Sequence, residues 1–205
     1  MNHQLVAVNT NPTTSATRAL TLLTFKVGDY EYGLPATDVV HIIKLVTITY
    51  LPEAPPPIQG IINLRGKAVP IMDMRHSFGL APHAYSLYTP IILADITGQG
   101  QLLGLIVDLV EQVLHVAWGN LERSDPLKLH QFPGQTVQLA ACLAAVAKVD
   151  RRVILTLNPQ ALLTPADQSQ LSQALARRGR VWAKRLDFTT PRRQSVNPAR
   201  VMMPS

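Results

Sequence analysis

Alternation of apolar and polar positions first becomes regular at Leu20. The run LTLLTFKV is apolar and β-branched, Gly28-Asp29 offers a two-residue turn, and YEYGL returns, which predicts a hairpin. After Pro35 comes TDVVHIIKLV, where Thr37 or Asp38 can cap a helical turn; the spacing fits that turn or a strand. LPEAPPP carries four prolines in seven residues and must be loop. IQGIINL, a turn at Arg65-Gly66, and KAVPIMDM predict a second hairpin, with Pro70 assigning the returning arm to an edge or a bulge. PIILADI and LLGLIVDLV, joined through Gly98 and Gly100, predict a third, and EQVLHV a further strand.

Beyond a polar stretch around Pro126 to Pro133, VQLAACLAAVAKV and RVILTL flank Asp150-Arg151 as a last hairpin, although the alanines also suit a helix. TPADQSQLSQALARRG is punctuated as a helix. Thr164 is the N-cap, Pro165 the first helical position, Asp167 the capping-box acid and Gly179 the stop, with Leu171 and Leu175 on one face. Eight to ten short strands with little helix between them predict closed or nearly closed antiparallel barrels.

Composition changes the picture mainly at the C-terminal end. The 205 residues suit one or two small domains and are 47% hydrophobic and 16% charged. The net charge of +6 is concentrated from Arg177 onward, where eight basic residues and one acidic residue give +7, whereas Met1 to Ala176 carries −1. The excess therefore belongs to the tail. It is read as a solvated, disordered end, or else as a patch for nucleic acid, anionic lipid or an acidic partner. Cys142 is the single cysteine, which excludes an intrachain disulfide and a cysteine-rich metal site. The N-terminus lacks a signal-peptide pattern, and no apolar run approaches the ~20 residues of a membrane span, so a cytoplasmic, soluble protein is expected.

No catalytic constellation emerges. His3, His41, His76, His83, His115 and His130 form no regular metal-ligand pair. Asp73, Asp95 and Asp108 each sit near a strand end, where an aspartate ordinarily bonds turn backbone. GQGQLLG lacks a following helix and a phosphate-binding lysine, and Cys142 lies in an apolar run as a small core residue. Runs such as VVHII and LIVDLVEQV are more often core than interface, yet a small barrel has limited interior, so side chains left over are expected to form a contact surface.

The blocks LTFKVGDYEYGLP, VVHII, LPEAPPPIQGIINLRGKAVPIMDMR, TPIILADI, GLIVDLVEQVLHV and RRVILTLN resemble, in order and spacing, the CheW family of bacterial chemosensory adaptors. The resemblance runs from about Leu20 to Leu163, and GIINLRGKAVPIMDMR is its most specific part. It implies an all-β fold of two small five-stranded, SH3-like barrels packed across an apolar seam. It also implies a non-catalytic scaffold that couples the cytoplasmic tip of a chemoreceptor to the regulatory domain of a CheA-type histidine kinase, in chemotaxis or pilus-based motility. Since a related domain ends that kinase and no kinase segment precedes it here, a free-standing adaptor is expected, located at receptor arrays near the inner membrane.

The implied organisation is a disordered lead over 1–19, the CheW-like domain over 20–163, a helix over 164–179 and a basic, disordered tail over 180–205. No cofactor, metal or catalytic residue is implied. Partner-binding residues are expected at Val39, His41 and Ile42, at Gly60, Asn63, Leu64, Arg65 and Gly66, and at Asp108 and Val110. Arg65 matches the arginine of the family's Asn-Leu-Arg-Gly turn, with Gly66 closing it and Asn63 bonding its backbone. Where the family carries a glutamate facing that arginine, this chain has His41, which keeps an acceptor but loses a charged pair. The rival readings are a nucleic-acid-binding barrel using the basic tail and a small hydrolase or transferase using the strand-end aspartates. With 5% aromatic residues and a near-neutral barrel region, the sequence gives little support to the first, and no nucleophile–base pair supports the second.

Overall fold

The computed structural model describes residues 19–123 and 137–186, and for 137–138 and 179–186 the backbone alone. The expected N-terminal lead up to residue 18, the polar stretch around Pro126 to Pro133 and the tail from 187 onward lie outside the described residues.

Among the described residues, eleven strands form two sheets. The first subdomain orders β8 (Leu109–Ala117), β1 (Ala19–Val27), β2 (Tyr30–Pro35), β11 (Arg152–Leu157), β10 (Leu143–Val149) and β9 (Leu121–Arg123). The second orders β3 (Val39–Lys44), β6 (Pro90–Asp95), β7 (Leu102–Ile106), β5 (Lys67–Asp73) and β4 (Ile58–Leu64). The two-barrel, all-β architecture is thus the one the sequence implied, with differences in detail. The first sheet has six strands because the short β9 pairs with β10. Two pairings, β11 with β2 and β5 with β7, are parallel and not antiparallel.

The hairpins turn where glycine or a positive φ allows it. Gly28 has φ 63° between β1 and β2, and Arg65 and Gly66 have φ 51° and 85° between β4 and β5. Positive φ at both central residues is the geometry whose twist matches paired strands. Two apolar runs divide where the sequence did not mark it. LLGLIVDLV breaks after Ile106, so that β7 stays in the second sheet and β8 crosses to the first. The alanine-rich run is both things at once, helix α2 (Val137–Cys142) and then β10. TDVVHIIKLV likewise resolves into a 3-10 turn over Ala36–Asp38 followed by β3.

Three apolar clusters result. Leu22, Val116, Ala147 and Ile154 fill the first barrel, and Ile62, Val69, Ile71, Ile91, Leu93 and Ile106 fill the second. The largest lies in the seam between them, where Phe25, Tyr32 and Phe78 stack with centroids 5.9 and 5.0 Å apart. Full burial of each such side chain contributes about 1.5–3 kcal/mol, so the seam holds the subdomains together.

Helix α3 (Pro165–Leu186) joins the seam through Leu171 and Ala174. Its predicted capping box is present: the Asp167 N–H donates to Thr164 Oγ1 at 3.1 Å, and the Thr164 N–H donates back to Asp167 Oδ2 at 3.2 Å. The helix does not stop at Gly179, because one glycine costs a helix only about 1 kcal/mol and strong helix formers surround it.

Candidate functional site

The expected partner-binding residues fall in three places. The first is β3, the strand at one end of the five-stranded sheet. A register shift between Val39 and His41 sets which side chains face out. Val39 packs against the seam, whereas Val40, His41, Ile42 and Lys44 are exposed, Val40 by 44% and Ile42 by 48%. Lys44 extends over the ring of exposed Tyr88, 5.0 Å from its centroid, so the apolar strip continues onto the loop before β6. Of the apolar residues on this strand, Val40 and Ile42 are the exposed ones, and Val39 is half-buried. Strict alternation from Ile42 would have pointed to Val40; the bulge is what the sequence conceals.

The second place is the β4–β5 hairpin at the other end of that sheet. Asn63 Oδ1 accepts from the Gly66 N–H at 2.8 Å and closes the turn as expected. Arg65 is held in the left-handed region at a cost of about 1–2 kcal/mol, and its exposed side chain makes no hydrogen bond or ion pair among the described residues. No hydrogen bond joins it to His41. Leu64 packs into the second barrel, and Gly60 serves the backbone. Its φ is 154°, and a Cβ would lie 2.5 Å from the Thr49 carbonyl oxygen, so only glycine lets the segment before the proline loop bridge to Ile61.

The third place is the crossover from β7 to β8. Arg75, from the short helix α1 (Met74–Ser77), donates to Asp108 twice, at 2.6 and 2.8 Å, and the Gly28 N–H donates to Asp108 Oδ2 at 2.7 Å. Burial alone would raise the Asp108 pKa. The hydrogen bonds from Arg75 and Gly28 outweigh that and hold the carboxyl below its usual range. One carboxylate thereby ties the β1–β2 turn of one subdomain to α1 of the other, and Val110 packs into the seam beside it. Both residues thus have contacts within the chain as well as their expected place at a partner surface. Arg75 was not visible as Asp108's partner because 33 residues separate them.

The other strand-end aspartates are likewise engaged by backbone. Asp73 caps α1, accepting from the Arg75 and His76 N–H groups, and also accepts from Tyr85. Asp95 accepts from the N–H groups of Thr97, Gly98 and Gly100, which hold its pKa low. Burial pushes the Cys142 thiol up to about 12, so it stays a protonated core group. Among the described residues no group of three His, Cys, Asp or Glu side chains is placed to hold a metal, and no helix is long and apolar enough to cross a membrane.

A cleft lies between the hairpin and α3, lined by Thr49, Ile61, Asn63, Ala68, Leu175 and Arg178 among others. Sequence reasoning placed nothing of α3 at the site. Helix-spaced residues following Leu171 were the available signal, since Leu175 and Arg178 lie four and seven positions beyond it.

Residues 21–167 match the CheW-like domain family. The chemotaxis protein CheW of Bacillus subtilis is 33% identical over 137 residues, which are 63% of this chain and 86% of that protein. That of Helicobacter pylori is 28% identical over 97 residues, 47% of this chain and 58% of its relative. Against several such relatives the matched region spans under two thirds of their length. The crystal structure of the scaffolding protein TtCheW from Thermoanaerobacter tengcongensis superposes with TM-score 0.58 at 34% identity, covering 68% of this chain and 89% of that one. With the family match running from β1 through the start of α3, and the same two-barrel fold in a solved relative, this chain belongs to the CheW-like domain family.

Proposed function

We propose that the protein is a non-catalytic adaptor that couples chemoreceptors to a CheA-type histidine kinase, on the cytoplasmic side of the membrane. The match to the CheW-like family across both subdomains carries this reading. The surface chemistry supports it. The second subdomain presents two apolar side chains on β3 and, at the hairpin tip, an arginine with no ion pair among the described residues, which suits protein docking. The strand-end aspartates are engaged in caps and ion pairs, which leaves them poorly placed for acid–base work. Neither the fold nor the relatives favour the nucleic-acid alternative. Affinity purification of the native protein tests the proposal. Recovery of a histidine kinase together with receptors is expected; reproducible recovery of nucleic acid without either would contradict it.

A further inference from the structure

The cleft between α3 and the β4–β5 hairpin has a definite chemistry. Its floor is apolar, from Ile61, Ile62, Ala68 and Leu175, and among the described residues no carboxylate lines it. The helix that walls it is firmly seated. Leu171 and Ala174 are buried in the seam, Arg177 pairs with Glu53, Gln170 Nε2 donates to the Glu53 carbonyl at 3.0 Å, and Arg178 donates to the Tyr50 carbonyl. The cleft is therefore preformed. Cations stand at its rim: Arg65 and Lys67 on the hairpin make no side-chain hydrogen bond or ion pair among the described residues.

Main-chain groups add a second requirement. Leu64 and Lys67 flank a two-residue turn and so bond to each other; the bonds alternate from there, and Ile61 and Asn63 point their N–H and C=O away from β5. Ile61 exchanges both its bonds with Thr49, at 2.8 Å each. The outward main-chain groups of Asn63 have no such partner among the described residues. An extended segment offers free main-chain donors and acceptors at strand spacing, and a helix does not, because it uses its own internally.

We propose that this cleft receives an extended segment of the kinase regulatory domain that carries an apolar residue and a carboxylate. The segment adds to the edge of β4 at Asn63, places its apolar side chain on Ile61 and Leu175, and sets its carboxylate among the rim cations. The inference rests on the adaptor reading. It assigns α3, nearly all of which lies beyond the family match, a wall of the docking site.

The test uses the full chain and the purified regulatory domain of the kinase. Exchange of the Asn63 amide is expected to slow by about tenfold or more in the complex, as a newly paired edge requires. Ala68 is exposed and lines the cleft, so charge placed there leaves the core untouched. Ala68→Glu is expected to weaken binding about tenfold and Ala68→Lys to stay within about threefold of wild type. If Ala68→Glu melts early, the wild-type exchange measurement decides alone. Binding of the wild type with unchanged Asn63 exchange, or equal losses for Glu and Lys, would overturn the inference and leave the adaptor reading standing. No binding by the wild type would remove both.

Discussion

The two subdomains are built from similar strands but treat their surface charges differently. On the first, a network of charges is paired within the chain: Arg152 bridges Glu31 and Glu111, Lys26 joins Glu111 at 3.1 Å, and Lys148 joins Glu122 at 2.7 Å, while Arg123 and Arg151 beyond it make no ion pair among the described residues. On the strands and hairpin of the second, Lys44, Arg65 and Lys67 make no ion pair among the described residues, and Val40 and Ile42 stand exposed beside them. Paired charges satisfy a surface, whereas unpaired cations beside apolar side chains leave it able to gain from a partner. The first subdomain also exposes Leu109, Val113 and Val153, but on the sheet that carries the Lys26–Glu111–Arg152–Glu31 network. The contrast supports placing the docking surface of the proposed adaptor on the second subdomain.

The most damaging way to break that contrast is to disturb the second barrel itself. Gly60→Val forces a Cβ onto the Thr49 carbonyl and a β-branched residue into a positive φ, and is expected to cost about 3 kcal/mol or more. Urea denaturation reads this directly, and a loss below about 1 kcal/mol would show that the Thr49–Ile61 bridge does not depend on glycine.

Next in size is the tie between the subdomains. Asp108→Asn removes the charge on which Arg75 and Gly28 converge and is expected to cost about 2 kcal/mol, since Arg75 is left partly buried and unpaired. The pH dependence has a definite sign. The folded-state pKa of Asp108 is depressed, so its contribution is complete above the unfolded value of about 3.9 and disappears as pH falls through the folded one. Thermal melts from neutral pH down to acid should therefore show a steeper decline for wild type than for Asp108→Asn. Parallel curves would contradict the assignment.

A third comparison separates docking from folding on one strand. Ile42→Asp is expected to weaken binding of the kinase regulatory domain at least about tenfold with little change in melting temperature, because the carboxylate is solvated until the partner arrives. Val39→Asp places its charge against the seam and should lower the melting temperature first. Equal melting temperatures for the two would show that the bulge does not divide the faces as described.

The smallest effect concerns His41 and Arg65. They share no hydrogen bond, so their alanine substitutions are expected to be additive in a double-mutant cycle on kinase affinity, within about 0.5 kcal/mol. A larger coupling would mean that the complex brings them together.

Much of this organisation is legible in the sequence because turns announce themselves locally. Gly28-Asp29, Arg65-Gly66 and Asp150-Arg151 each separate the two strands they join, and Thr164 with Asp167 starts α3 as its capping pattern requires. What stays hidden depends on distance or on continuity of apolar residues. Asp108 hints at a strand end, but nothing in the run shows that the chain changes sheets there. Asp108 looks like a turn aspartate until Arg75 and Gly28 are brought to it in space. The register shift between Val39 and His41 accompanies exposure of Val40, His41 and Ile42 in succession, and alternation does not anticipate the exposure of His41. Gly179 marks a helix stop only if nothing favours continuing, and α3 continues to Leu186.

The division of labour between the subdomains is tested most directly by titrating the isotope-labelled full chain with the purified kinase regulatory domain and following backbone amide resonances. Perturbations are expected over Val40 to Lys44 and Asn63 to Ala68, with the amides of Lys26, Glu31, Glu111 and Arg152 unmoved. Perturbation centred on those four residues, with β3 and the β4–β5 hairpin silent, would contradict the account.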